Sequence, residues 1–446
     1  MKIDNLKNIL RENGVVGAGG AGFPTYAKLD LKADTLILNC AECEPLLKLH
    51  RQVLEAYAKE ILHTLDQIAK TVEAKNVYIA VKRSYRKTIE AVTPLLDFFK
   101  NIKICELPEV YPAGDEVILT YEVTGRVVPA GGIPLAVGVT VLNVETVYNV
   151  YRALNGLPVT YKFVTVAGAV NNPVTLQVPI GVTVAELLPF AGGATIDNPS
   201  FCIGGPMMGT IGSTQTIVTK TTNAVLVLPE DHQIIKKKQG KSFINMKRAM
   251  AACCQCSYCT LLCPRNLLGH PIDPSEFMRV ASNGITNDAV PYINSMYCCG
   301  CGLCEMYSCG QGLSPRSLLT SCKDELRKNG IKPTVTDELD EVFPNRELRQ
   351  VPMNRLMSRL GLNPYNKTAP MVDTEVKPDK LTILLSQHIG APAVANVKAG
   401  DKVKENQKIA DAADGLSVGI HSPVNGTVRA VGEKAIIISV DLEVTA

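Results

Sequence analysis

No run of apolar residues in this 446-residue chain approaches the roughly 18 that a membrane-spanning helix needs. Any association with a membrane would therefore run through a partner. A dominant charge is equally lacking: acids and bases are interspersed and the formal net charge is only +3. Neither a nucleic-acid face nor a membrane-surface field is declared by such a balance. The amino end, Met1-Lys2-Ile3-Asp4-Asn5, mixes charges and leads into no apolar run, which excludes a secretory signal. Tryptophan is absent and aromatics are sparse, an absence that bounds little. The length points to roughly two to four domains with ample core.

What the chain has in plenty is cysteine, 15 residues of it. In a chain that reads as cytosolic these thiols stay reduced and point to metal and redox work. Cys253-Cys254-Gln255-Cys256-Ser257-Tyr258-Cys259 continues to Cys263-Pro264, and Cys298-Cys299-Gly300-Cys301-Gly302-Leu303-Cys304 is followed by Cys309. The first set has the C-x2-C-x2-C-x3-C-P spacing in which thiolates wrap a 4Fe-4S cube. The second is C-x2-C-x2-C-x4-C, with Gly310 where the first has proline. Zinc is the plainer alternative, but its cysteine pairs usually lie well apart, and four thiols compressed into one run suit a cube better. Two sets imply two 4Fe-4S clusters, with Cys253, Cys256, Cys259, Cys263, Cys298, Cys301, Cys304 and Cys309 as ligands. Cys254 and Cys299 each adjoin a ligand and could replace a neighbour. In two-cluster ferredoxins the fourth cysteine of each run serves the other cluster. By that analogy one cube takes Cys253, Cys256, Cys259 and Cys309, and the other takes Cys298, Cys301, Cys304 and Cys263.

Upstream, Leu6, Ile9 and Leu10 predict a helix over Asp4 to Asn13 with Gly14 as its stop. Gly17-Ala18-Gly19-Gly20-Ala21-Gly22-Phe23-Pro24-Thr25 then formally spells G-x-G-x-x-G. A Rossmann fingerprint follows a strand and opens a helix, whereas this run follows a helix and enters Phe-Pro, so that reading fails. What remains is a loop with little Cβ bulk whose amides can approach a phosphate or a flat ring. A buried strand from Thr35 delivers Asn39-Cys40-Ala41-Glu42-Cys43-Glu44-Pro45 at its carboxyl end, where ligands sit in open α/β sheets. Cys40 and Cys43 could form a redox pair or half a metal site. Asn39, Glu42 and Glu44 could instead bond the hydroxyls and amide of a nucleotide-like ligand.

A helix over 51–71, a strand over 77–81, a helix over 85–99 and a strand over 102–105 continue an alternation that predicts a mainly parallel sheet. An acidic turn, Tyr111 to Glu116, enters a further helix. The strand from Val139 ends in Asn143-Val144-Glu145-Thr146. It is the second strand end to carry Asn and Glu, so one site at the sheet edge is the economical reading. Beyond Asn155 the pattern turns β-rich, closing with Gly204-Gly205-Pro206-Met207-Met208-Gly209, whose methionines read as packing. Lys236-Lys237-Lys238 reads as a solvated rim, with a docking patch for an acidic partner as the alternative. The last stretch is β-rich again, and His421 in it reads as a packed or surface imidazole.

Gly17 to Lys28, Asn39 to Pro45 and Asn143 to Thr146 resemble the flavin loops of the NADH-binding flavoprotein subunit of complex I and of RnfC electron-transport subunits. Gly181 to Leu188 looks like part of the ubiquitin-like SLBB module. Val397 to Val403, Gln407 to Ala410 and Ile420 to Val428 look like a barrel-sandwich hybrid of the biotinyl/lipoyl type. Its candidate hairpin, Ala412 to Ser417, holds no lysine, so no lipoate or biotin is expected. RnfC carries that domain at the amino end, whereas the order here is similar to the cobalamin reductases of propanediol-utilising microcompartments. The fold class expected is α/β and multidomain. It comprises an α/β flavin-binding domain over 1–156, an SLBB ubiquitin-like β-grasp module over 157–235 and an α-helical two-cluster ferredoxin-like domain over 243–328. A connector over 329–377 then leads to an all-β barrel-sandwich hybrid domain over 378–446.

The resemblance implies FMN held by Gly17, Gly19, Gly20, Gly22, Lys28 and Asn39, with Glu42 and Asn143 in its pocket and NADH stacked near Glu44. Hydride transfer would occur on the flavin, so no side chain is assigned a catalytic role. Cobalamin is the implied acceptor, although the D-x-H-x2-G run of base-off cobalamin proteins is absent. The implied partners are a corrinoid or corrinoid adenosyltransferase, a microcompartment shell protein or another redox protein. Nucleic acid and a direct membrane span are not implied. The implied location is the cytoplasm or a bacterial microcompartment lumen. The alternative is an RnfC-like protein passing electrons between NADH or ferredoxin and another redox protein.

Overall fold

The computed structural model describes residues 1–336, 339 and 341–441. Residues 442–446 of the expected last domain, and 337, 338 and 340 of the expected connector, lie outside the described residues. Leu6 and Leu10 give α1 (Ile3–Glu12) one buried face. Four strands build the first sheet: β1 (Thr35–Cys40), β2 (Asn76–Lys82), β3 (Ile102–Leu107) and, after the short β4 (Val110–Tyr111), β5 (Val139–Asn143). They run parallel in the order β3-β2-β1-β5. The strands are apolar on both faces because helices cover both. One side packs α2 (Leu49–Ala56), α3 (Ala58–Val72) and α6 (Val144–Leu154) through Leu54, Leu62 and Val147. On the other side α5 (Glu116–Thr124) seats Leu119 against Ile37 and Val141.

The helix expected over 51–71 is two helices, broken at Tyr57, which leaves helical geometry and stacks its ring on Tyr148 at 4.2 Å between centroids. The helix expected over 85–99 ends as α4 (Arg86–Val92) and finishes as a 3-10 turn, where Pro94 has no N–H for the α-helical ladder.

The next unit is a mixed sheet of β6 (Tyr161–Gly168), β7 (Val174–Pro179), β8 (Pro199–Ile203), β9 (Thr210–Gly212) and β10 (Ala224–Pro229). Across it lies the one-turn α7 (Val184–Leu187), started by a capping box between Thr183 and Glu186. Then come α8 (Gln233–Lys238), α9 (Ser242–Ala252), α10 (Tyr258–Leu261), α11 (Pro274–Ser282), α12 (Val290–Asn294) and α13 (Pro315–Lys328), which frame the cysteine runs. The segment expected as a connector is not a free linker. Its β11 (Val351–Pro352) pairs with β4, α14 (Met353–Leu360) follows, and β12 (Met371–Val372) extends the mixed sheet beside β7.

The last unit has two small antiparallel sheets. One holds β13 (Lys380–Leu384), β15 (Lys402–Val403), β18 (Gly426–Val431) and β19 (Ala435–Val440); the other holds β14 (Val394–Ala395), β16 (Lys408–Asp411) and β17 (Ile420–His421). It shares one continuous core with the mixed sheet, through Val164, Val225, Ile383, Ile409 and Ile438. It also returns to the amino end of the chain. Arg11 donates to the Ala413 carbonyl at 2.8 Å, Lys408 pairs with Glu12, Ile389 N–H donates to Ala21 at 3.2 Å and Tyr26 donates to Gly415 at 3.2 Å. A separate core of Leu47, Tyr111, Met207, Leu226, Cys301, Met306 and Leu356 knits the first sheet, the mixed sheet and the cysteine region together.

Candidate redox site

Parallel pairing places Asn39 directly beside Asn143, so both acid-bearing strand ends open onto one place. There lies a cavity of about 450 Å³. Gly17, Gly19, Gly20, Lys28, Asn39, Glu42, Glu44 and Asn143 line one part of it, and Tyr111, Asp115, Cys299 and Cys301 another. Every expected binding residue except Gly22 is therefore in the wall. Gly20 has φ +66° and open space where a Cβ would stand, whereas a Cβ on Gly22 would meet Thr221 at 2.8 Å and the Gln387 carbonyl at 3.1 Å. Gly22 thus serves the approach of the β-rich units, and Gly20 faces the cavity. The loop is held by Gly17 N–H on the Phe23 carbonyl at 2.9 Å and Ala18 N–H on Thr146 Oγ1 at 3.0 Å. No strand precedes it and no helix of regular α type follows, consistent with the failed Rossmann reading.

The polar wall is partly engaged and partly open. Asn39 donates to the Gly114 carbonyl at 2.9 Å, and Asn143 meets the ring of His50 at 2.9 Å while capping α6 through Glu145 N–H. Lys28 pairs with Glu116, so a phosphate binding there would share that ammonium with a carboxylate. Burial pushes the Glu42 carboxyl up to about 7, against the pull of Arg51. Burial, aided by Lys162, lowers His50 to about 3, which keeps the imidazole neutral. Glu42 Oε2, Thr25 Oγ1 and Asn223 Oδ1 are buried without a hydrogen-bond partner, and all three residues line the cavity. Buried oxygens left so are costly, and a flavin with its ring N–H and ribityl hydroxyls supplies the donors they lack. The glycine loop and this donor-hungry wall fit FMN.

The two cysteine runs fold close to one another. Cys259 feels the charge of Cys256 and Cys309, and Cys263 that of Cys298 and Cys299. Cys301 and Cys304 each feel Cys263, and Cys304 feels Cys298 and Cys259 as well. Among the described residues no three His, Cys, Asp or Glu side chains converge as they would on a single metal ion. A four-iron cube spreads its thiolates wider than one ion does, and thiolate-only donor sets are the chemistry of such cubes. Leu313 N–H points at Cys309 Sγ at 3.3 Å and Gly300 N–H at Cys298 Sγ at 3.4 Å, as amides do around cluster sulfurs. Cys40 and Cys43 have different surroundings: Cys40, at the end of β1, is packed in the core, while Cys43 lines the cavity and accepts Gly114 N–H.

Several contacts of this region escaped sequence reasoning. Glu44 reaches the cavity edge, but its two oxygens accept Met207 N–H and Met208 N–H, each at 2.8 Å. A Cβ on Gly205 would lie 2.0 Å from that carboxylate, and one on Gly209 2.4 Å from the Gly205 carbonyl, which explains these two glycines of the run. Met207 is buried, while Met208 is half exposed at the cavity. Lys237 and Lys238 are not a solvated rim. Lys237 donates to Glu305 and Leu313 carbonyls at 2.8 and 3.2 Å, and Lys238 to those of Met207 and Gly209. Asp115, which caps α5, also accepts from Arg265 at 2.9 Å, and the Arg265 guanidinium stands near Cys299. The acidic turn signalled Asp115; nothing in the sequence signalled Arg265 or His50. His421 is packed as expected, and burial lowers it to about 3.

An α/β flavin cradle walled by the loop of a double cysteine set defines a flavin- and iron-sulfur-binding electron-transfer protein. Family profiles agree, matching a Nuo51 FMN-binding domain at residues 10–152, an SLBB domain at 163–211, a 4Fe-4S dicluster domain at 252–314 and an RnfC barrel sandwich hybrid domain at 362–444. Cobalamin reductase PduS of Salmonella typhimurium is 40% identical over 441 residues, 98% of this chain and 97% of that one. Its Citrobacter freundii counterpart is 39% identical over 97% of this chain and 96% of its own. A component of the Na(+)-translocating ferredoxin:NAD(+) oxidoreductase complex of Acetobacterium woodii is 31% identical over 62% of this chain and 61% of its own. The chain belongs to the PduS cobalamin reductase family. No helix among the described residues is long and apolar enough to cross a membrane.

Proposed function

We propose that this protein oxidises NADH and delivers the electrons to cobalamin, with FMN in the 450 Å³ cavity and 4Fe-4S clusters on the two cysteine sets. One observation carries the reading: Cys299 and Cys301 stand in the wall of the cavity that the glycine loop lines. FMN held there would supply the conversion between two-electron hydride chemistry and the single-electron steps that cubes require. The chain's own residues hold and insulate. Gly17, Gly19 and Gly20 present amides to the phosphate, and Lys28 moves from or shares Glu116. Glu42, near neutrality, is a donor or acceptor to the ring, and Asn39 and Asn143 fix the strand ends on which it rests. Cys253, Cys256, Cys259 and Cys309 hold one cube, and Cys298, Cys301, Cys304 and Cys263 the other.

Relatives named as cobalamin reductases align along almost the whole chain, while the relative from the ferredoxin:NAD(+) oxidoreductase complex matches only 62% of it, which favours the reductase reading. As part of the same reading, a corrinoid adenosyltransferase or a microcompartment shell protein is its partner and the microcompartment lumen its place. A tagged chain that fails to co-sediment with purified shells would remove that part alone. The central test is anaerobic: protein reconstituted with iron, sulfide and FMN is mixed with NADH and then with hydroxocobalamin. Bleaching of the flavin, then of the clusters, then formation of cob(II)alamin is expected. No bleaching by NADH would overturn the donor; reduced protein inert towards the corrin would overturn the acceptor.

A further inference from the structure

The two cysteine sets differ in exposure. Of the thiols assigned to one cube, Cys263, Cys301 and Cys304 are buried, and Cys301 touches the cavity, whereas Cys256 of the other cube and its neighbour Cys254 are exposed. The exposed set is entered directly from α9, and α9 has an unusual surface. Only Asn245 and Ala249 are buried on it, while Phe243, Ile244 and Met250 are 69%, 52% and 62% exposed, and Tyr258 beyond the loop is 56% exposed. Scattered apolar side chains on a surface are ordinary, but large ones gathered on one short helix and the loop it feeds mark a contact surface.

The charge beside them has one sign. Between Asp231 and Asp273 the sequence holds no acidic residue, and Lys236, Lys241, Lys247 and Arg248 are exposed. Among the described residues none of these four forms an ion pair. Lys247 rests over the Phe243 ring at 4.5 Å, so cation and apolar group present one mixed face. A helix exposed around most of its circumference is convex, and small molecules are held in concave sites. A protein surface with an apolar centre and an acidic rim complements it.

We infer that α9 and the following loop to Leu261 are a docking surface through which electrons leave to an acceptor besides cobalamin, and that its occupant is an acidic redox protein seated beside Cys256. The inference rests on the reading that the cysteine sets carry clusters, but not on NADH as donor.

The test uses the reconstituted full chain, reduced with dithionite, freed of excess reductant and mixed in stopped flow with oxidised flavodoxin as the acidic probe or with menadione as a small neutral one. Flavodoxin reduction is expected to fall about tenfold as added salt shrinks the screening length below about 10 Å. Lys247→Glu with Arg248→Glu is expected to lower it about tenfold at low salt, and Phe243→Ser to lower it as well. Menadione reduction and cluster absorbance should not change in either variant. Flavodoxin rates indifferent to salt and to charge reversal would overturn the inference. So would pelleting with phosphatidylserine vesicles that charge reversal abolishes while flavodoxin rates stay unchanged, because the face would then belong to a membrane. A preparation without cluster absorbance would defeat the cluster reading and this inference with it, whereas failure to bleach with NADH would leave it standing.

Discussion

The Tyr111 hydroxyl donates to the main-chain carbonyl of Cys301 at 2.6 Å, inside a core where both residues are buried. One hydrogen bond therefore spans from the cavity's α/β wall to the second cysteine set. Tyr111→Phe keeps the ring and strips the donor, leaving a buried carbonyl unsatisfied at about 1–3 kcal/mol. Denaturant unfolding of the variant should show that loss with an unchanged slope; an unshifted midpoint would mean that water replaces the hydroxyl.

Glu44 and Gly205 form a second cross-domain lock suited to a double-mutant cycle. Glu44→Ala removes two charge-assisted bonds to Met207 and Met208 amides, roughly 2–4 kcal/mol. Gly205→Ala drives a methyl into the carboxylate and should cost a similar amount. Combined, the two should cost clearly less than their sum, because removing Glu44 removes the clash. Simple additivity in the measured unfolding free energies would show that the loop moves aside instead.

Iron content tests the cysteine sets. Cys256→Ser, Cys309→Ser and Cys301→Ser should each lose about half of the iron of a two-cluster protein. Cys256→Ser with Cys309→Ser should lose no more than either alone, whereas Cys256→Ser with Cys301→Ser should lose nearly all. Cys254→Ser should lose none. Half loss in the Cys256/Cys301 double variant would reassign those thiols to one cube.

What the sequence disclosed and what it hid follow from the range of the interactions. The shared site of Asn39 and Asn143 was readable because equivalent ends of neighbouring parallel strands come together whatever else the chain does. The cysteine spacing was readable because a cube is bound by local loops. His50 was silent, since Leu49, Val53 and Leu54 set the buried side of α2 and the imidazole merely shares it. Glu44 finds its amides 163 and 164 residues away, a pairing with no local trace. Lys237 and Lys238 read as solvated for the same reason: the carbonyls that take them are delivered by distant loops.

Lys220 gives a pH signature. It is buried, and its Nζ donates to the Gly14 carbonyl at 2.7 Å and to that of Gly419 at 3.2 Å, with no carboxylate paired to it among the described residues. Burial lowers it from 10.5 to about 7, and a neutral amine has the two N–H groups those carbonyls need. Between those values the unfolded chain binds the proton and the folded one does not, so stability rises with pH by up to about 1.4 kcal/mol per unit. Unfolding free energies of the wild type minus those of Lys220→Met should climb from pH 7 towards 10; a flat difference would show that the amine stays charged.

The contacts of the last β unit with Arg11, Glu12, Ala21 and Tyr26 seat it on the first helix and the glycine loop, far from it in the sequence. For this unit, seat and place in the gene are separable. A rearrangement that spliced it ahead of α1 would find the same neighbours waiting for it. The surface on which it sits is the same whichever end of the gene encodes it.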